Sequence, residues 1–468
     1  MIGGLATDAW DATRNMAESL TAPFRDPVLR LGVTGLSRAG KTVFITSLVA
    51  NLLDRGRMPQ LRAHAEGRIL SAWLRPQPDD SVARFAYEDH LAALTAPQPR
   101  WPEGTRRISQ LRLSLRLAPG GLLGQLRGPR TLHLDIVDYP GEWLLDLGLL
   151  SQDYAAWSEA ALRKAGHRPG GTAFLDRLKG LDPAAPAGEP VLKALAEAYA
   201  AHLRESRAAG FADLAPGRFL LPGDMEGSPA LTFAPLPPAP GAPRGSLWRE
   251  AARRYDAYRR LVVKPFFRDH FARIDRQVVL VDVLGALARG PRAFDDLREA
   301  MAGVLSAFNP GRSAPLARLL GQRRVERILF AATKADHLHH SQHPRLAALT
   351  EALLREARDR AAFAGARIES MAIAALRTTV EDQARLGGEM IDVVRGRLSD
   401  GRQVALHPGD LPEDPARLLA PARAGRDWDG ERFAMPDLAP APLTLRPGEG
   451  PPHIRLDRAA EFLIGDRL

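Results

Sequence analysis

Apolar positions along the chain alternate between a strand period and a helix period. Leu29 to Thr34 reads as a short buried strand, and Thr42 to Leu53 carries apolar residues at helical spacing. A mixed stretch from 54 to 101 follows, helical over Leu61 to Leu74 and Val82 to Leu94. Ile108, Leu111, Leu113, Leu115 and Leu117 then predict a strand over Arg107 to Leu117, and Leu132 to Asp138 predicts another. From about 144 to 275 the pattern is helical at Tyr154 to Lys164, Val191 to Glu205 and Leu247 to Ile274, broken by Pro/Gly-rich pieces such as Ala234 to Gly241.

Alternation resumes afterwards, with strands at Gln277 to Val283, Arg327 to Thr333 and Arg367 to Ala375 and helices at Ala293 to Phe308 and Arg345 to Ala364. Such alternation predicts an α/β fold with a mostly parallel sheet covered on both faces. Glu389 to Leu406 reads as a hairpin turning near Asp400 and Gly401, and Ala459 to Ile464 as a closing helical turn. Ala9 to Leu20 reads as a short amphipathic helix, docked on the core or, alternatively, serving a membrane surface or a partner. The expected divisions are an N-terminal helix over 1–26, an α/β domain in two parts over 27–147 and 276–385, a mainly helical insertion over 148–275, and a C-terminal extension over 386–468.

Charge changes this picture little. The chain carries a formal net charge of +9 and no cysteine. Its arginines are interspersed with Asp and Glu and accompany no basic-aromatic module, so no nucleic-acid partner is expected. The absence of cysteine excludes disulfides and thiolate metal sites and suits a reducing compartment. No apolar run approaches the roughly 20 residues of a spanning helix, and the expected location is the cytoplasm.

Three motifs carry chemistry. Gly35-Leu36-Ser37-Arg38-Ala39-Gly40-Lys41-Thr42 fits G-x-x-x-x-G-K-[ST] between a strand and a helix, where backbone N–H groups from Gly35, Ser37, Arg38, Ala39 and Gly40 through Val43 can wrap a polyphosphate. Lys41 is expected on the terminal phosphates and the Thr42 hydroxyl on magnesium. Asp138-Tyr139-Pro140-Gly141 fits D-x-x-G at a strand end, with Asp138 facing the metal and the Gly141 amide the terminal phosphate. Thr333-Lys334-Ala335-Asp336 fits [NT]-K-x-D. A carboxylate there accepts two hydrogen bonds from guanine's ring N–H and exocyclic amine, donors that adenine does not present together on that edge. Ala374-Ala375-Leu376 stands where a backbone N–H would meet the guanine carbonyl.

Thr105, or alternatively Thr95, is the candidate switch threonine completing the metal shell. Glu142 occupies the place of a water-orienting glutamine, and Arg38 inside the loop is a candidate charge stabiliser supplied in cis. His337, His339, His340 and His343 crowd behind the third motif without cysteine or an acidic residue at ligand spacing, and read as a solvated loop. Asp282 at a strand end reads as a cap for the following turn.

These blocks, together with Phe44 to Leu48, Asp135 to Asp146, Asp275 to Asp282 and Pro452 to Asp457, resemble the YcjX-type P-loop GTPases of bacteria, a family tied to envelope-stress regulons. The resemblance spans nearly the whole chain. It implies a Ras-like core with a large helical insertion and a C-terminal β-containing extension. It also implies GTP hydrolysis with magnesium as a nucleotide-dependent switch in a stress response, and an inner-membrane protein partner that would place the chain at the membrane periphery. The rival readings are a P-loop ATPase or kinase and a GDP-binding scaffold that does not turn over.

Overall fold

The computed structural model describes residues 26–35, 38–104, 107–119, 128–308, 325–355, 366–426, 428, 433 and 436–468. The expected N-terminal helix, Ser37 and Thr105 lie outside the described residues. Strands β1 (Val28–Gly35), β2 (Ile69–Arg75), β3 (Ala83–Arg84), β4 (Ser109–Leu117), β5 (Arg130–Asp138), β6 (Arg276–Val281), β7 (Arg327–Ala332) and β8 (Arg367–Ala372) form one sheet. Its order is β2-β4-β5-β1-β6-β7-β8, with β3 beside β4. From β5 to β8 every pairing is parallel, while β4 runs antiparallel to both β2 and β5.

Residues 69–75 correct the sequence reading, which made 61 to 74 helical. The helix there is confined to Arg62–Ala65, and Ile69 to Arg75 pair with β4. A short apolar run carries no periodicity that separates strand from helix, so the tertiary partner decides. Close approach is set at Gly32, where a Cβ would lie 2.5 Å from Gln277 Oε1 and from Ile274 Cδ1. A side chain there would have to displace the ends of Gln277 and Ile274, and Gln277 is held in place by bonds to the Tyr139 hydroxyl and the Gly32 carbonyl.

Two apolar cores sandwich the sheet. On one face α1 (Lys41–Leu53) packs with Leu31, Leu111, Leu134, Leu280 and Leu329. That face is completed by Leu456, Ala459, Ala460 and Leu463 of a late helix, Leu456–Ile464. The other core joins Val279, Val281, Ile328 and Phe330 to the insertion, whose long helices are Tyr154–Ala165, Glu189–Ala208 and Leu247–Tyr258. Its aromatic centre includes Trp157 stacked on Tyr255 with ring centroids 5.0 Å apart. β9 (Val380–Leu386), β10 (Glu389–Arg397) and β11 (Gln403–Leu406) make a separate antiparallel sheet. That sheet therefore starts before residue 386, and residues 452–464 return to the first domain.

Asp146 is buried beneath this insertion, 2% exposed. Gly217 N–H donates to its Oδ1 at 2.6 Å and the Tyr258 hydroxyl to its Oδ2 at 2.5 Å. Burial outweighs these bonds and pushes the carboxyl up to about 7. Because the folded state holds this proton more tightly than the unfolded one, the associated stability is fully present below pH 3.8 and is lost as pH rises to about 7. Each tenfold gain in proton affinity is about 1.4 kcal/mol, so the change is about 4 kcal/mol at most. Urea unfolding of Asp146→Asn should lack this falling component between pH 4 and 8. Parallel pH profiles for parent and variant would refute it.

Candidate functional site

The first loop leaves β1 at Gly35, where a Cβ would sit 2.9 Å from Leu280 Cβ and from the Leu280 carbonyl oxygen. It re-enters helix at Gly40, whose φ of 81° and ψ of 26° set the left-handed turn before Lys41. Arg38 takes a left-handed φ of 64° and is exposed. Lys41 is buried and its Nζ donates to the Gly35 carbonyl at 3.0 Å, so the ammonium closes over the loop it follows. The buried Thr42 hydroxyl donates to the Glu103 carbonyl at 3.3 Å. That contact brings the segment leading to Thr105 against the Thr42 side of the loop.

Asp138 ends β5 opposite Val33 of β1, with 2% exposure. Thr42 and Asp138 thus offer a hydroxyl and a carboxylate, both hard oxygen donors, at one edge of the sheet, a donor set that fits magnesium. Gly141 starts the one-turn helix Glu142–Leu145. Glu142 is buried, and its Oε1 pairs with the Arg207 guanidinium at 2.8 Å. Arg207 comes from helix Glu189–Ala208, so the insertion grips the residue that follows the second motif. Arg38, Ala39, Glu142, Arg204, Arg207 and Arg289 line a cavity of about 400 Å³ beside the first loop.

At the third motif, Thr333 N–H donates to the Val281 carbonyl at 3.0 Å and Ala335 N–H to the Ile373 carbonyl at 3.0 Å, which ties the turn to both neighbouring strands. Lys334 takes a left-handed φ of 61°, and its Nζ donates to Asp282 Oδ2 at 2.6 Å. Asp282 also accepts from Gly285 N–H at 2.9 Å, so it caps the next helix and holds Lys334. Asp336 is buried, and its Oδ2 accepts from Thr378 N–H at 2.9 Å and from the Thr378 hydroxyl at 2.8 Å. The Thr379 hydroxyl donates to the Asp336 carbonyl.

Sequence reasoning passed over these two threonines. The nearest signal was Ala374-Ala375-Leu376, two residues upstream, where Ala374 and Leu376 are buried and Ala375 is half-buried. The Ala374 N–H donates to the Ile454 carbonyl at 3.1 Å, so this amide is engaged by the returning C-terminal segment.

Register brings the motifs together. Gly35 lies level with Leu280, and Leu280 with Ala331, so the first and third motifs leave the same end of parallel strands two positions apart. At about 4.8 Å per strand the lateral spacing is roughly 10 Å. Asp138 reaches the same edge from the other side of β1. Sheet order, loop and motif placement define a P-loop protein of Ras-like architecture.

The chain belongs to the YcjX-like family, DUF463, whose model matches residues 29–468. It is 41% identical over 461 residues to the Ras-like GTPase YcjX of Escherichia coli strain K12, covering 95% of this chain and 96% of that protein. It is 38% identical over 482 residues to the Ras-like GTPase YcjX of Shewanella oneidensis MR-1, covering 97% of each. Among the described residues no helix is long and apolar enough to cross a membrane.

Proposed function

We propose that the chain binds magnesium-GTP and hydrolyses it to GDP, serving as a nucleotide-dependent switch. The observation that carries this reading is the register that puts the loop of Lys41 and the carboxylate of Asp336 at one sheet edge, two strands apart. The names of the two relatives support a GTPase. In this reading Lys41 and the loop amides, Ser37 among them, bind the phosphates. Thr42 and Asp138, completed by Thr105, hold magnesium, and the Gly141 amide faces the terminal phosphate. When bound, the ion neutralises charge on the phosphate oxygens. Asp336 reads guanine, with its Oδ2 fixed by Thr378 and its backbone by Thr379.

Titration with fluorescent GTP and ATP analogues tests the assignment. GTP is expected to bind at least tenfold more tightly. Equal or tighter ATP binding overturns it. The resemblance of the motif blocks carries the placement of this switch in an envelope stress response, at the inner-membrane periphery beside a membrane-protein partner. Growth of a deletion strain under such stress reads that out, and growth equal to the parent's removes it.

A further inference from the structure

The histidine-rich turn behind the third motif differs from the solvated loop that the sequence suggests. His343 is buried, and its Nε2 lies 2.8 Å from the Ala335 carbonyl and 3.2 Å from the Leu338 carbonyl, bracing the turn from inside. His339 and His340 instead face the three-stranded sheet. There Glu381 of β9 and Asp392 of β10 stand on one face of the hairpin, because Asp392 is opposite Gln383 and Val394 opposite Glu381.

Ligand-bearing atoms of His339, His340 and Glu381 lie within 4.8 Å of one another. His340 Nδ1 is 2.9 Å and His339 Nε2 is 3.8 Å from Glu381 Oε2. Donors bound to zinc at its usual distances in a tetrahedron stand about 3.3 Å apart, so these two spacings bracket the value an ion would impose. The other nitrogen of His339, Nδ1, lies 2.9 Å from Ser341 Oγ and 3.3 Å from Asp392 Oδ2. A carboxylate there fixes the ring's tautomer and turns Nε2 toward Glu381, the outer support that metal-bound histidines ordinarily have. The backbone adds a further hold, as His340 N–H donates to Glu381 Oε1 at 3.0 Å.

We propose that His339 Nε2, His340 Nδ1 and Glu381 form a site for a divalent zinc-type ion, with Asp392 orienting His339. Imidazole and carboxylate donors without thiolate suit zinc and its neighbours rather than magnesium or calcium. The ion would fasten the three-stranded sheet to the turn after Asp336, close to Thr378, which holds that carboxylate, and Thr379, which holds the Asp336 backbone carbonyl. The site stands independently of the nucleotide reading.

The test uses the full chain without an affinity tag, stripped with a chelator and titrated with zinc against a chromophoric competitor. One ion per chain is expected, and cobalt in its place should give the visible absorption of nitrogen-ligated, low-coordinate Co²⁺. His340→Asn and Glu381→Gln should each lose the tight site, and Asp392→Asn should weaken it about 10- to 100-fold. Asp138→Asn, which removes the proposed magnesium ligand, should bind zinc like the parent. Absence of a stoichiometric zinc site, or affinity unchanged in both His340→Asn and Glu381→Gln, would overturn the proposal. The cobalt spectrum of the unaltered chain decides even if a variant fails to fold.

Discussion

Lys41→Ala should lower affinity for a fluorescent GTP analogue by about 10- to 100-fold while leaving the melting temperature within a few degrees of the parent. The ammonium is buried, and its observed hydrogen bond goes to the Gly35 carbonyl at 3.0 Å, so it is already directed across the loop. Hydrogen bonds to charged groups contribute about 1.5 to 3 kcal/mol, and each 1.4 kcal/mol is about tenfold in affinity. The fold loses little, because Gly35 is held against Leu280 by backbone packing that does not involve the lysine. Unchanged affinity by equilibrium titration would remove Lys41 from the phosphate site and with it the nucleotide reading.

The second large effect concerns the base. Asp336→Asn should weaken GTP binding by about two orders of magnitude and raise the affinity for xanthosine triphosphate. An ionised carboxylate accepts from both guanine donors, whereas an amide offers one acceptor and one donor and so matches xanthine, which carries a carbonyl where guanine carries its amine. Losing one charge-assisted bond and opposing two donors amounts to about 3 kcal/mol. Thr378 makes the exchange feasible, because its N–H and hydroxyl both donate to Oδ2, and the amide oxygen can take that place. Competition between the two triphosphates is the measurement, and an unaltered preference for GTP would mean that Asp336 does not read the base.

Motifs were legible in the sequence where chemistry fixes residue type and spacing together. The first loop needs its glycines and lysine within eight positions, Asp138 ends an apolar strand, and the motif that carries Asp336 begins directly after one. The parallel sheet was legible for a similar reason, since Val278 to Val281 of β6 and Ile328 to Ala332 of β7 are buried on both faces and read as continuous apolar runs. Contacts between distant segments had no such rule.

Nothing in the spacing joins Thr378 to Asp336, 42 residues away, or Arg207 to Glu142. Glu381 and Asp392 come to the histidines only because a hairpin folds over the turn. β2 failed for the opposite reason, because its partner β4 and not its own pattern makes it a strand.

The return of residues 452–464 bears on how this domain comes into being. Arg276, wholly buried, donates to the Leu463 carbonyl at 3.0 Å and pairs with Asp466 at 2.8 Å. Asn51 donates to the Pro451 carbonyl across 400 residues. A ribosome therefore completes β1, its loop and the helix behind it long before it makes the strip that seals their underside. Until then the face of β6 and β7 around Leu280 and Leu329 lacks the helix that covers it in the complete fold. A stop codon just short of residue 452 would leave every nucleotide motif intact yet strip the floor from beneath them.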